Sequence, residues 1–280
     1  MGIAIQIDNL IKSYGVNTVI KDISFAVNCG EIFALLGTNG AGKTTILECI
    51  EGIRKYDSGN ITVNGNIGVQ LQSSSLPANI KAIEAYQLVC KWNKAQANLE
   101  LFNVFKLAQL KNKQYKEMST GQKRRLHLAL ALIGNPDIIF LDEPTAGLDV
   151  EGRVFLHAQI RKLKEQGKTI IMASHDMAEV ESLCDRITIL KDGKIAFIGT
   201  TTELTSEMED QCRIHIKTER PLKNADYEQG YWVFTSVNIG DTLLELLQIC
   251  KQTQNTVLDV KIERATLEQR FMDIAREGKS

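Results

Sequence analysis

The chain has 280 residues, of which 44% are hydrophobic and 24% are charged, as is typical of a folded globular protein. Its formal net charge of -1 leaves no general basic field for nucleic acid or an anionic membrane, so we expect no nucleic-acid partner. No apolar run approaches the ~20 residues of a membrane span, and the N-terminus lacks the pattern of a secretory signal. The 6 cysteines show no CxxC spacing, which favours a reducing cytosol over a metal or disulfide framework.

Short apolar segments typical of strands recur along the N-terminal part of the chain. Residues 32–37 (IFALLG) and 138–141 (IIFL) are apolar throughout, as expected of parallel strands buried on both faces. Other segments alternate and favour a half-exposed antiparallel sheet. These further segments are residues 4–10, 23–27, 60–65, 66–72, 169–174, 186–190 and 194–199. The pattern predicts an α/β fold with an antiparallel β subdomain.

Two stretches depart from this strand pattern. Residues 73–135 carry apolar side chains at helical spacing in 80–93 and 98–107, which predicts a helical insertion between strands. After about residue 205 the alternating segment 212–218 opens a new mixture of strand and helix patterns. We therefore expect one domain over 1–205 and a small C-terminal α+β accessory domain over 206–280.

The strongest local signal is a phosphate-binding loop. Residues 37–44 (GTNGAGKT) match G-x-x-x-x-G-K-[ST] and lie between a buried strand and a helix, the context that the pattern requires. Glycines let backbone N–H groups turn toward phosphate, and the helix N-terminus adds a positive partial charge. Lys43 is expected to reach the β- and γ-phosphates and Thr44 to bind Mg²⁺. The residues predicted to bind ATP here are Gly37, Thr38, Asn39, Gly40, Ala41, Gly42, Lys43, Thr44 and Thr45.

A pair of acidic residues follows another buried strand. Asp142 and Glu143 end the segment DIIFLDEP, at the carboxyl end of a strand where α/β sheets bind ligands. Asp142 is expected to hold Mg²⁺, and Glu143 to orient and deprotonate the attacking water. Taken alone, the segment fits a strand followed by an acidic turn equally well. Beside the phosphate loop, a catalytic role is favoured.

Four motifs in a fixed order identify a family resemblance. GTNGAGKTT, STGQ, LDEPTAGLD and ASHD follow one another, and the chain resembles the ATP-binding cassette proteins over about residues 3–205. The family's pattern has two glycines before the glutamine of STGQ, and Thr120 replaces the first of them here. The segments KSYG, GVQLQ and TLEQRF are most similar to cassettes of multidrug, antibiotic and glycan exporters.

The resemblance implies roles for further residues on the nucleotide. Tyr14 would stack on adenine, although alone it reads as an ordinary strand-end tyrosine. Gln72 would contact Mg²⁺ and the attacking water, with Gln70 close enough for the assignment to shift. His175 would contact the γ-phosphate and orient Glu143 and the water.

Other motif residues are implied to act on a partner cassette. The signature loop Ser119, Thr120, Gly121 and Gln122 would meet the partner's ATP, while Ser119 also fits a helix N-cap. Asp149 resembles the loop that crosses to the partner. The neighbouring basic cluster, residues 123–125, is expected to be the solvated face of a helix. Three histidines lie in no motif and are expected to be structural: His127, His157 and His215.

The function implied is ATP hydrolysis that drives export through a separate membrane-spanning permease. Because each motif occurs once, an active site needs a second cassette, either a copy of this chain or a sister subunit. We expect a cytoplasmic protein, peripheral on the membrane. Two alternatives are a soluble ATPase uncoupled from transport and an inert scaffold. The first usually has two cassettes or long coiled coils, and intact Lys43, Glu143 and His175 argue against the second.

Overall fold

The computed structural model describes residues 2–70, 76–206, 212–222, 225–263 and 267–276. Contacts within the chain divide it into two compact units, Met1–Gly199 and Thr200–Ser280. This division falls a few residues before the boundary predicted near residue 205. No helix in the described ranges is both long enough and apolar enough to cross a bilayer.

The first unit combines strands and helices in the alternation that the sequence predicts. Its strands are β1 (Ile3–Tyr14), β2 (Asn17–Asn28), β3 (Ile32–Gly37), β4 (Ser58–Val63), β5 (Ile67–Val69), β6 (Ile138–Asp142), β7 (Thr169–Ala173), β8 (Arg186–Lys191) and β9 (Lys194–Gly199). Its helices are α1 (Lys43–Ile50), α2 (Ala82–Trp92), α3 (Leu99–Val104), α4 (Thr120–Ala131), α5 (Val150–Glu165) and α6 (Met177–Leu183).

These strands form two sheets. An antiparallel sheet has the order β2-β1-β4, and a 6-stranded sheet has the order β5-β6-β7-β3-β8-β9. Within the larger sheet β5, β6, β7, β3 and β8 run parallel, and β9 pairs antiparallel with β8. The predicted α/β fold with an antiparallel part is therefore confirmed.

The central strands are buried because their sequences are apolar on both faces. Every residue of β7 is buried, as are all of β3 and β6 except the residue at the end of each. Leu35, Phe140 and Ile171 share one core cluster with Ile46 and Leu47 of α1. Burying each such side chain contributes about 1.5–3 kcal/mol, which fixes α1 and the loop before it against the sheet.

The predicted helical insertion lies between β5 and β6. It contains α2, α3 and α4 together with two 3₁₀ turns, Ala108–Leu110 and Tyr115–Glu117. In its described residues, from 76 to 135, the β structure is a single isolated bridge between Lys81 and Gln114.

The elements of the second unit are α7 (Thr201–Ser206), β10 (Cys212–Thr218), β11 (Asp226–Glu228), β12 (Tyr231–Ser236), α8 (Ile239–Gln252), β13 (Val257–Glu263) and α9 (Leu267–Arg276). Its strands form a 4-stranded antiparallel sheet with the order β11-β12-β10-β13. Ile214 and Ile216 of β10 pack with Leu246 and Cys250 of α8 in a separate core cluster. The cluster confirms that the alternating segment 212–218 is a strand with one apolar face.

Candidate active site

Three adjacent parallel strands end next to Glu143, His175 and the phosphate-binding loop. The strands lie in the order β6-β7-β3, and each is followed directly by a predicted site segment. Ala173 of β7 is in register with both Asp142 of β6 and Leu35 of β3. The carboxyl ends of these strands therefore lie level at one edge of the sheet, which is where such sheets bind ligands.

The phosphate-binding loop joins β3 to α1. Gly40 and Gly42 have φ angles of 84° and 104°, a left-handed conformation that glycine adopts at little cost. Gly42 is the N-cap of α1 and makes no side-chain cap, so the cap residue itself leaves the first N–H groups of this helix uncovered. Thr38, Asn39, Gly40 and Thr44 are exposed. The loop therefore presents backbone donors and an exposed hydroxyl, the groups that a nucleotide phosphate requires.

Lys43 is held within this loop. Its Nζ donates hydrogen bonds to the carbonyl oxygens of Gly37 at 2.7 Å and Thr38 at 3.3 Å. Partial burial lowers the pKa of Lys43, while the nearby carboxylates of Glu143 and Asp142 act in the opposite direction. The charge of Lys43 therefore interacts with the charges of the acidic pair at the end of β6.

Glu143 has an unusual backbone and a specific partner. Its φ of 47° is uncommon for a residue with a side chain, and its N–H donates to the carbonyl oxygen of Ala173 at 2.9 Å. The Oε2 atom of Glu143 lies 2.7 Å from Nδ1 of His175, and this hydrogen bond raises the pKa of the imidazole. The structure thus pairs the predicted general base with the predicted γ-phosphate contact.

The residues at this edge fit Mg²⁺ by the chemistry of their donors. The exposed hydroxyl of Thr44 and the carboxylate of Asp142 are hard oxygen ligands, which Mg²⁺ prefers. The described residues contain no cluster of three or more His, Cys, Asp or Glu side chains that could hold a metal alone. A site with few protein ligands suits a cation that is shared with substrate phosphates and water. Gln72, the third predicted ligand, lies outside the described residues.

The signature loop forms the N-terminus of α4. Ser119 accepts a hydrogen bond from the N–H of Gln122, and the Gln122 Oε1 accepts from the N–H of Ser119, a reciprocal capping box. Lys113 also donates to Gln122 Oε1 at 3.1 Å. Ser119 is therefore the N-cap of α4, one of the two roles predicted for it. The amide oxygen of Gln122 is occupied within the chain.

Thr120, which departs from the family pattern, lies beside Gly147. The Cγ2 of Thr120 lies 3.3 Å from the position that a Cβ on Gly147 would occupy. Gly147 also has a φ of 74°, so glycine is the residue best suited to this position. The absence of a side chain at Gly147 leaves room for the additional methyl group of Thr120.

The signature loop and the loop of Asp149 line a common depression. Its volume is about 380 Å³, and its lining includes Ser119, Gly121 and Asp149. None of its described lining residues belongs to the phosphate-binding loop 37–45. Asp149 accepts a hydrogen bond from the N–H of Gly152 and caps α5. The structure groups the two predicted partner-facing loops with each other and not with the phosphate-binding loop.

Tyr14 ends β1 and is partly exposed. The Arg54 guanidinium carbon lies 5.3 Å from the centre of its ring, and the Lys12 Nζ lies 5.5 Å from it. These cations interact with an electron-rich ring. A cationic setting around the ring was not expected from the sequence, because Arg54 lies far from Tyr14 along the chain.

The basic cluster of α4 differs from the solvated face that was expected. Lys123 Nζ lies 4.9 Å from the ring centre of Tyr115, and the Arg125 guanidinium lies 5.8 Å from that of Phe155. Arg125 also donates to the carbonyl oxygen of Gly121 at 3.3 Å. These side chains therefore pack on aromatic rings and help hold the signature loop.

The contacts behind His175 have no signal in the sequence. Ser174 Oγ donates to Glu179 Oε2 at 2.7 Å, and Glu179 Oε1 lies 3.3 Å from His157 Nε2. Glu179 is almost fully buried. No motif contains His157, and only adjacency of α5 and α6 in space brings these groups together.

Comparisons with known proteins identify the family of the chain. Residues 20–146 match the family model described as ABC transporter. An uncharacterized ABC transporter ATP-binding protein of Methanocaldococcus jannaschii is 38% identical over 75% of this chain and 79% of its own. The linearmycin resistance ATP-binding protein of Bacillus subtilis is 37% identical over 73% of this chain and 71% of its own. The Nod factor export ATP-binding protein of Rhizobium etli is also 37% identical, with the same coverage.

Solved structures show the same fold. A solved structure of an ATP binding subunit of an ABC transporter superposes with a TM-score of 0.67 at 25% identity, covering 73% of this chain and 92% of its own. A bacterial ABC transporter cassette described as dimeric has a TM-score of 0.64 at 25% identity, covering 70% of this chain and 98% of its own. From the phosphate-binding loop, the Glu143–His175 pair and these relatives, we conclude that the chain belongs to the family of ABC transporter ATP-binding proteins, which are ATPases.

Proposed function

We propose that this chain hydrolyses ATP to drive export of a substrate through a separate membrane-spanning permease. The observation that carries the proposal is the pairing of Glu143 with His175 at the strand ends that also bear the phosphate-binding loop. Export is favoured because two of the relatives are named for linearmycin resistance and Nod factor export.

The chain's residues divide the chemistry among themselves. Lys43 and the N–H groups of residues 37–45 bind the β- and γ-phosphates, and Tyr14 stacks on adenine. Glu143 orients the attacking water and accepts its proton, and His175 holds Glu143 in place and contacts the γ-phosphate. Thr44, Asp142 and Gln72 would hold Mg²⁺, which neutralises phosphate charge when bound.

The active unit is a pair of cassettes arranged head to tail. The support is that Ser119 and Asp149 line one depression while the phosphate-binding loop lies at the sheet edge. A two-fold arrangement lets the signature loop of one cassette meet the ATP of the other. We place the pair on the cytoplasmic face of the membrane, bound to the permease. The partner cassette is a second copy of this chain or a sister subunit.

Co-purification with an active ATPase readout tests this function. The tagged chain is isolated from detergent-solubilised membranes, and the bound proteins and the ATPase rate are determined. We expect a multi-span membrane protein in stoichiometric amount and ATP turnover that is lost in Lys43→Ala. Recovery of an active ATPase with ribosomes, or without any membrane protein, would favour the soluble alternative. An inactive parent protein would favour the scaffold.

A further inference from the structure

The imidazole of His175 is exposed, and few contacts of the side chain itself fix its position. Its side chain is 77% exposed, and within the described part of the chain its side-chain partner is Glu143. An exposed imidazole with one partner depends on its backbone neighbours for its orientation. Those neighbours, Ser174 and Asp176, are both tied to other elements of the fold.

Ser174 is tied to a buried carboxylate. It is 1% exposed, and its Oγ donates to Glu179 Oε2 while accepting from the N–H of Asp176 at 3.1 Å. The carboxylate of Glu179 also lies 3.3 Å from His157 Nε2 on α5. A buried carboxylate is costly unless hydrogen bonds satisfy it, so Ser174 and His157 are the groups that make this position tolerable.

Asp176 is tied to the same helix as His157. Its Oδ2 lies 3.1 Å from the Arg153 guanidinium, and its Oδ1 accepts from the N–H of Glu179 as the cap of α6. Arg153 and His157 are four residues apart and lie on one face of α5. Two further contacts continue along this face, from Arg161 to the carbonyl oxygen of Ser182 and from Lys164 to Asp185.

These contacts form a ladder between α5 and α6, defined by the pairs Arg153–Asp176, His157–Glu179, Arg161–Ser182 and Lys164–Asp185. The contacts of Asp176 and Glu179 lie close to His175 along the chain, whereas those of Ser182 and Asp185 lie at or beyond the C-terminal end of α6. Because α5 begins after its cap Asp149, the ladder also joins the loop of His175 to the loop of Asp149.

We propose that Glu179, held by His157, is a positioning residue for ATP hydrolysis, acting through Ser174 to keep His175 directed at Glu143. The inference rests on the proposed function, because Glu179 would act only through His175 and Glu143 and would not contact ATP itself. Loss of the buried hydrogen bonds lets the backbone around His175 move. A shift of about 1 Å in a catalytic group costs up to about 100-fold in rate, whereas nucleotide affinity depends on the phosphate-binding loop.

Steady-state kinetics of four variants test the proposal. Ser174→Ala removes the hydroxyl between Glu179 and the backbone, and Glu179→Leu removes the carboxylate at similar volume. We expect both to lower kcat by about tenfold or more while the KM for ATP stays within about twofold. Glu179→Gln keeps an oxygen acceptor and should restore most of the lost kcat. The matched control, Lys164→Gln, breaks the contact of Lys164 with Asp185, which is distant from His175 along the chain, and should leave kcat unchanged.

A second measurement separates positioning from general loosening of the fold. In a His175→Ala background, Ser174→Ala should cause no further loss of single-turnover rate, because the group it positions is gone. If Glu179→Leu fails to fold, Ser174→Ala still decides the question, with its melting temperature and ATP binding measured alongside.

The outcomes distinguish this inference from the function beneath it. Parent-like turnover of His175→Ala would overturn the role of His175 and the positioning inference with it. If His175→Ala is impaired but folded Ser174→Ala turns over like the parent, only the positioning inference fails. Equal and additive losses in both backgrounds would likewise overturn it and leave Glu179 a purely structural residue.

Discussion

Nδ1 of His175 lies 2.7 Å from Oε2 of Glu143, and the two residues follow adjacent parallel strands. Glu143 also adopts a left-handed backbone conformation at φ 47°, and its N–H donates to Ala173 of the neighbouring strand. Non-glycine residues adopt this conformation at an energetic cost, and such residues cluster at functional sites. The carboxylate is therefore held both by its backbone and by His175, the arrangement expected if Glu143 is the general base.

Replacing Glu143 by glutamine tests this role directly. The amide keeps the shape of the side chain but loses its basicity, so Glu143→Gln should bind ATP and hydrolyse it at least about 100-fold more slowly. ATP should then hold the variant as a dimer on a sizing column. The control is Glu181→Gln, an exposed carboxylate outside the site, which should keep parent turnover. Turnover of Glu143→Gln within about twofold of the parent would contradict the assignment.

Tyr14 is predicted to supply affinity for the adenine base. Stacking on an aromatic face contributes about 1–3 kcal/mol per base, so Tyr14→Ala should weaken ATP binding by roughly 5- to 100-fold. Tyr14→Trp, which keeps a flat ring, should bind like the parent. Equilibrium binding of a fluorescent ATP analogue measures both variants. Equal affinities of Tyr14→Ala and the parent would leave Tyr14 as an ordinary residue at the end of β1.

Much of the fold and site could be predicted because its signals are local in sequence. The run IFALLG, the glycines after it and Lys43 specify a strand, a turn and a helix over a few consecutive residues. Residues that act through tertiary contacts gave no such signal. Glu179 and His157 are separated by 22 positions and meet only because α5 packs beside α6. The packing of Arg125 on Phe155 escaped prediction for the same reason.

His127 predicts how stability depends on pH. It is 1% exposed, lies 2.7 Å from the Tyr115 hydroxyl, and burial lowers its pKa to about 4, aided by the charges of Arg124 and Lys123. Below about pH 6.5 His127 binds a proton in the unfolded chain but not in the folded chain. The free energy of unfolding therefore falls as the pH decreases toward 4. The loss between about pH 6.5 and about pH 5 amounts to about 2 kcal/mol.

Thermal unfolding of the parent and of His127→Gln measures this contribution. Glutamine can hydrogen-bond to the Tyr115 hydroxyl but does not titrate. The melting temperature of the parent should therefore fall more between neutral and mildly acidic pH than that of the variant. An identical fall in both proteins would show that acid sensitivity arises elsewhere in the chain.

The C-terminal unit is predicted to be dispensable for nucleotide binding. The predicted ATP-binding residues precede Asp176, and residues 200–280 form a unit with its own core around Ile214 and Leu246. A chain ending at Gly199 should therefore fold and bind ATP with an affinity within about threefold of the full chain. Circular dichroism and nucleotide binding provide the measurement. An unfolded or non-binding truncated chain would show that the two units depend on each other.

Two inactive variants that complement each other would establish the shared active site. Lys43→Ala loses the cation at the β- and γ-phosphates, and Ser119→Arg places bulk and charge at the signature loop. In a mixed dimer, one site combines both defects, while the other combines an intact phosphate-binding loop with an intact signature loop. Mixing should therefore restore part of the ATPase activity. If each site lay within one chain, every site would keep a defect and mixing would restore nothing.

The structure adds a control that this experiment needs, because Ser119 also caps α4. Loss of an N-cap costs about 0.5–2 kcal/mol, so inactivity of Ser119→Arg could reflect a weakened helix. Ser119→Ala removes the cap without adding bulk, and it should retain more activity than Ser119→Arg at equal melting temperature.

Covalent linkage of the two mutant chains then fixes the composition of the dimer. A linked heterodimer that hydrolyses ATP, or that stays inactive but binds one ATP tightly, supports the shared site, the second case indicating coupling between sites. A linked heterodimer that gains no ATP binding over either parent variant would contradict it.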